Sequence, residues 1–141
     1  MQLEGGDQLA AALRAYGAKA ERHIGDAVNA TGLELRGEIV KAYQRGPASG
    51  VMYEKDNPRR THQASLAGEA PATDTGRLAS SVNFKREGPM SATVGSDIAY
   101  AAMLEFGTSR IDPRPAWVPA VEAMRPKFRQ RLETALARAA Q

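Results

Sequence analysis

Apolar residues recur at steps of mostly three and four along the first third of the chain: Leu9, Leu13, Tyr16, Ala20, Ile24, Ala27, Val28, Leu35 and Ile39, with Tyr43 after. That spacing predicts one amphipathic helix over residues 8–44, its stripe turned toward a core. Asp7 after Gly5-Gly6 reads as its N-cap and Gly46-Pro47 as its stop. Gly17, Gly25, Gly32 and Gly37 each weaken such a helix by up to ~1 kcal/mol relative to Ala. The helix therefore either packs closely on neighbours or breaks near residues 29–32. Its polar face mixes Glu21, Asp26, Glu34 and Glu38 with Arg14, Lys19, Arg22, Arg36 and Lys41, which fits a core-facing helix better than one lying on a membrane.

Residues 46–75 read as a polar, interrupted arm punctuated by Pro47, Pro58 and Pro71, with Val51-Met52-Tyr53 a brief strand. An unstructured connection of this length inside a compact fold is functional or disordered as a rule. Lys55, Arg59, Arg60 and His62 form a local basic cluster, so the arm is either a solvated loop or a segment that orders on another subunit or a DNA channel. After Asp74-Thr75-Gly76 a short helical turn is expected at residues 77–80. Val82 and Phe84, then Ala92 and Val94, alternate with polar residues on either side of Gly88-Pro89, predicting a β-hairpin with one apolar face. Asp97 reads as the cap of a short helix carrying Tyr100 and Leu104, which Gly107 ends. Pro113 and Pro115 keep the following connector extended, and Pro119 suits the opening of a last helix with the stripe Val121, Met124, Phe128, Leu132, Leu136 and Ala139. Pro126 inside that stripe is expected to kink the helix or mark its true start. Arg125, Lys127, Arg129, Arg131 and Arg138 are expected on its solvated face. The fold class that follows is α+β: a long N-terminal helix, a small antiparallel sheet with a β-hairpin, a short helix and a C-terminal helix.

At 141 residues the chain fits one domain, residues 1–141, with helix 8–44, arm 46–75, and hairpin plus C-terminal helix 76–140. Net charge is +3, too small by itself to argue for nucleic-acid binding. Cys is absent, which excludes disulfides and thiolate chemistry. The N-terminus lacks the basic and apolar regions of a signal peptide, and no apolar run approaches the ~18 residues of a membrane span. No repeat or low-complexity tract stands out.

Candidate chemistry is sparse. Asp74-Thr75-Gly76 matches the turn that supplies paired carboxylates in dimeric aspartic proteases, but such a turn follows an apolar strand and here Glu69-Ala70-Pro71-Ala72-Thr73 precedes it. Asp74 is better read as the cap of the helical turn after it. His23 and His62 are isolated, so no metal set is visible, and no cofactor motif is present. Glu105 is the one acid set in an apolar segment. It is either a general acid or base, or a carboxylate satisfied by backbone amides or by Arg110 or Arg114. Trp117, the only Trp, reads as a core or interface anchor. This profile suits an assembly component rather than an enzyme.

Three segments in order, Pro71-Ala-Thr-Asp74-Thr75-Gly76-Arg-Leu78-Ala-Ser80-Ser81-Val82, Tyr100-Ala101…Glu105-Phe106-Gly107-Thr108, and Arg114-Pro115-Ala116-Trp117-Val118-Pro119-Ala120, together resemble the neck and tail-completion proteins (head–tail connectors, minor tail components) of long-tailed bacteriophages. The match covers roughly the second half of the chain. Trp117, where the family more often has Phe, and Pro126 depart from the pattern. The resemblance implies a structural virion protein, assembled in the bacterial host cytoplasm. It would form a sixfold ring at the head–tail junction around the DNA path. Its implied partners are its own copies, the head-side connector or adaptor, and tail-tube or tail-terminator proteins, with non-specific contact to lumenal DNA. On that reading Tyr53, Lys55, Arg59, Arg60 and Trp117 are the candidate interface residues. Asp74, Thr75, Gly76, Leu78, Ser81, Tyr100, Glu105, Phe106, Gly107, Thr108, Pro115 and Pro119 are structural positions of the motif. A head-closure or tail-terminator ring is the nearest alternative, and a small basic DNA-binding protein the more distant one.

Overall fold

The computed structural model describes residues 5–141. Its elements are α1 (Gly6–Arg45), β1 (Met52–Asp56), β2 (Arg59–Gln63), α2 (Arg77–Ser80), β3 (Val82–Gly88), β4 (Ser91–Ser96), α3 (Tyr100–Phe106) and α4 (Trp117–Ala139). The class is α+β, with two separate two-stranded antiparallel sheets, β1–β2 and β3–β4.

At ~1.5 Å per residue, α1 is about 60 Å long and runs unbroken through residues 29–32. Gly5, at φ 110°, stands at the N-cap, and Asp7 lies inside the first turn without capping it. An acid there still complements the helix dipole. The glycines divide into two kinds. At Gly32 a Cβ would overlap the Phe84 ring, and at Gly25 it would overlap the Pro89 carbonyl oxygen at the β3–β4 turn. These two positions, two turns apart on one face, let the hairpin lie directly against the helix backbone. Gly17 and Gly37 have open space beside them. Of the two outcomes open to the glycine-rich helix, close packing is the one adopted.

The core sits where the C-terminal half of α1 meets α2, β3 and the start of α4. Ile39, Tyr43, Ala79, Val82 and Ala116 are buried there, with Leu35, Leu78, Val94 and Trp117 packed around them. In the β3–β4 register Phe84 pairs with Val94 and Val82 with Ser96. The ladder shifts between Arg86 and Gly88. Arg86 latches the turn through the carbonyls of Gly88 (3.1 Å) and Pro89 (3.2 Å).

α4 packs antiparallel on α1; Ala135 and Ala139 of α4 and Ala20, Ala27 and Thr31 of α1 are buried, and Met124 is buried further along, beside Glu38 and Ala42. Small residues on both helices allow a close approach. Leu136, expected in this stripe, is instead 44% exposed. Arg131 and Lys127, expected on the solvated face, form a clasp with Glu34 of α1: Lys127 Nζ lies 2.8 Å from one carboxylate oxygen and Arg131 pairs with the other. Arg131 also donates to the Thr31 hydroxyl at 3.1 Å. These two cations hold the Glu34 carboxyl well below its usual value of 4.5, at about 2. Pro126 is accommodated inside a continuous α4, and the helix opens at Trp117, two residues before Pro119.

Three further expectations are corrected. Residues 46–75 are not an unstructured arm: β1 and β2 pair from Met52↔Gln63 to Asp56↔Arg59, and the base is closed by Gly50 N–H donating to Ala64 O at 2.8 Å and Ala64 N–H donating to Val51 O at 3.0 Å. Asp97 does not cap α3; the N-cap is Ala99, and Asp97 accepts a bond from the Asn83 amide at 2.9 Å. The apolar stripe of α1 is core-facing only from Ala20 onward, because Leu9, Leu13 and Tyr16 are exposed.

Gly25→Ala is expected to cost about 1–3 kcal/mol, since a latched backbone carbonyl must move. Gly37→Ala is expected to add about 0.5–1 kcal/mol. Denaturant unfolding of the two variants checks both signs. The depressed Glu34 carboxyl contributes stability above its usual value, and this is lost as pH falls from 4.5 toward about 2. The melting midpoint of the wild type should therefore fall more steeply over that window than that of Glu34→Gln; parallel curves would remove the clasp from the acid response.

Candidate functional site

The segment from α3 to α4 is built around Glu105. Its side chain is buried, and one carboxylate oxygen accepts the backbone N–H groups of Ala116 (2.8 Å) and Trp117 (3.0 Å) while the other accepts that of Val118 (2.8 Å). A helix start leaves its first N–H groups without partners. α4 has no side-chain cap of its own, and its third residue, Pro119, has no N–H to satisfy. Glu105 thus caps α4 from another helix, placing a negative charge at the positive end of the helix dipole. Of the roles weighed for Glu105, the structure has the one in which backbone amides satisfy it, and Arg110 and Arg114 are not its partners. Arg114 Nε is buried without a hydrogen-bond partner.

The connector is shaped to bring the two helices together. Gly107 ends α3 at φ 75°, where a Cβ would also crowd the Ile111 carbonyl and Pro113. Thr108 N–H donates to Ile111 O at 2.8 Å, and the Thr108 hydroxyl accepts from Arg110 and Ile111 N–H, each at 3.2 Å. Arg114 N–H donates to Leu104 O at 2.7 Å. Trp117 then reaches across to α1, its indole N–H 2.7 Å from the Tyr43 hydroxyl. Burial pushes the Tyr43 phenol above its usual value, so it stays protonated. Pro115 and Pro119 lie beside Ala42 and Ala70 at this junction.

Asp74 is a second centre and a correction. Gly76, at φ 76°, is the N-cap of α2, and no side chain caps that turn. The Asp74 carboxylate instead receives Lys55 and Arg60 from the β1–β2 hairpin, Arg60 through Nε at 2.8 Å and a second nitrogen at 3.1 Å. Both cations hold the Asp74 carboxyl well below the usual range. Thr75 accepts a long bond from Arg77 N–H, Thr73 bonds the Tyr43 carbonyl at 2.5 Å, and the Ser81 hydroxyl meets that of Ser96 at 2.7 Å. The structure therefore gathers most of the motif residues into the two joints that position α2, α3 and α4. It commits Lys55 and Arg60 to an internal ion pair, while Tyr53 and Arg59 remain on the exposed hairpin.

Among the described residues no group of His, Asp and Glu could hold a metal ion, and no helix is long and apolar enough to cross a membrane. What sequence reasoning missed is surface. Phe106 is 73% exposed and Met103 52%, beside an apolar groove of about 510 Å³ that α3 forms with Gly95, Ile98 and Trp117. The available signal was length: the stripe of α1 outruns that of α4.

Caps and ion pairs order these joints, while large apolar side chains stay exposed on α1, β1 and α3. Residues 7–107, from the first turn of α1 to the glycine that ends α3, match the family described as "Bacteriophage HK97-gp10, putative tail-component", and the chain belongs to this HK97-gp10-like family. The match stops before the Arg114–Ala120 segment. No curated protein and no solved structure matches the chain.

Glu105→Ala strands three backbone donors at the start of α4, so unfolding in denaturant is expected to show a loss of about 2–4 kcal/mol. Glu105→Gln, which keeps one acceptor oxygen but loses the second oxygen and the charge, should lose less. Equal losses for the two variants would mean that the second carboxylate oxygen and the charge, which both variants lack, set the whole cost.

Proposed function

We propose that the protein is a subunit of the neck of a long-tailed phage, forming a homo-oligomeric ring, sixfold in order, at the head–tail junction around the DNA path. Residues 1–141 act in it as one domain. The observation that carries this reading is membership of the phage tail-component family across α1 to α3. Support comes from large apolar residues left exposed at three separate places: Leu9 and Leu13 on α1, Met52 and Tyr53 on β1, and Met103 and Phe106 on α3. One chain with several unburied apolar surfaces is what a subunit between two neighbours and two adjoining rings needs.

The β1–β2 hairpin takes the place of the arm in this reading. Tyr53 and Arg59 face outward on it for contact with an adjoining connector or tail protein. The DNA-binding alternative is weaker than its basic cluster suggested, because Asp74 pairs with both Lys55 and Arg60 and offsets one of their two charges.

Cryo-electron microscopy of particles carrying a tagged subunit is expected to place a ring between head and tail. Removing residues 52–63, whose flanks the bond from Gly50 N–H to Ala64 O already holds together, should leave the rest folded while heads and tails accumulate separately. Density along the tail tube instead of at the junction would overturn the neck assignment, and normal joining by the deletion variant would remove the hairpin from it.

A further inference from the structure

The apolar stripe at the start of α1 and the apolar groove beside α3 have no partner within the chain. We infer that they are the two halves of one contact: the first turns of α1 in one copy dock against the α3 groove of the next copy in the ring. The inference rests on the ring proposed above and names how its subunits join.

The register of α4 on α1 defines the overhang. Arg131 meets Thr31 and Glu34, and Arg138 shares a cleft with His23. Continuing that antiparallel register, α4 runs out beside Ala20. Residues 6–19 of α1 then project beyond it for ~20 Å at 1.5 Å per residue, and all but half-buried Ala10 are exposed. Leu9, Leu13 and Tyr16 continue, at steps of four and three, the same face that carries Ala20, Ala27 and Thr31. α4 covers that face from Ala20 onward and leaves it bare before. Leu9 and Leu13 are 62% and 61% exposed, so the overhang presents a continuous strip of the kind that buries itself on another element.

The groove complements it in size and sign. It is lined by Ile98, Ala99, Ala102, Phe106 and Trp117, holds about 510 Å³, and bears Asp97 at its edge. Asp97 accepts only the Asn83 amide, and no cation pairs with it among the described residues. The overhang carries Arg14 and Lys19, which form no ion pair among the described residues either. The groove of the same copy is out of reach. It lies at the Tyr43 end of a rigid helix, and 30 residues separate Leu13 from Tyr43, ~45 Å along the axis. The occupant is therefore a second copy. Because stripe and groove are different surfaces, each contact leaves one free half at either end, and the series closes only as a ring.

The chain has no Cys, so Leu13→Cys with Ala102→Cys provides the only two thiols. Treatment of the assembled full-length protein, or of purified particles, with a short bis-maleimide should give a ladder of linked multimers that needs both cysteines. Leu13→Asp, at a position exposed in the free subunit, should keep the wild-type melting midpoint while self-association weakens about tenfold or more. Dimers from Leu13→Cys alone would show a two-fold contact between stripes and overturn the inference. An intact ring without cross-links, or one unaffected by Leu13→Asp, would overturn it and leave the ring standing. Particles with no ring at all would remove both.

Discussion

The fold depends on one carboxylate. Glu105 leaves α3 and receives the three backbone donors that open α4, so the two helices share a single polar contact at which neither has an alternative partner. Buried N–H groups without acceptors are costly, and a charged acceptor is the strongest remedy for them. The remaining features of the connector serve that meeting. Gly107 turns the chain back through a conformation other residues avoid, Thr108 closes the loop on itself, and Pro119 removes the donor Glu105 does not reach. Once α4 starts at that point and in that direction, Trp117 falls on Tyr43 and Lys127 and Arg131 fall on Glu34.

The two hairpins are attached to this frame by different physics. β3–β4 lies against the glycines of α1, with Phe84 and the Pro89 carbonyl where side chains would otherwise stand. Contact of that kind excludes water and tolerates little movement. β1–β2 is held chiefly at Asp74 by two cations, with most of both strands exposed. Partly exposed ion pairs contribute modestly and weaken with salt and acid. The hairpin is thus the element whose opening costs least.

Long-period features were legible in the sequence. The stripe of α1, the alternation of β3 and β4, the α3 stop at Gly107 and the isolation of Glu105 in apolar surroundings each pointed to what the structure contains. Local polar choices were less so. Asp7, Asp74 and Asp97 all have the residue type and position of caps, yet none caps its helix, because glycine or alanine backbone occupies those sites, and the carboxylates of Asp74 and Asp97 have partners elsewhere. A cap is a local inference, whereas the competing cations on β1 and β2 lie 19 and 14 residues away from Asp74 in sequence. The β1–β2 hairpin was obscured for a related reason. Its residues carry almost no apolar alternation, so pairing follows from the closed base and the ion pairs rather than from a buried face. Arg131 was misplaced because periodicity places residues by hydropathy, and a guanidinium that meets an acid across a helix pair belongs to the interface as much as a leucine does.

The same comparison explains why α1 is longer than anything it packs on. A helix is stabilised mainly by burying its apolar face, and an isolated stretch of 14 residues is marginal in water. Residues 6–19 keep the apolar spacing of a packed helix without an intrachain neighbour to justify it, and Gly17 lies in the same stretch with open space around it. Nothing in the subunit's own stability selects Leu9, Leu13 and Tyr16 over polar residues there, since their exposure is a liability for a free chain. Their presence follows if the helix is completed by another molecule. The stability of its first turns then becomes part of the free energy of assembly, and the segment orders fully only when the neighbouring surface is in place.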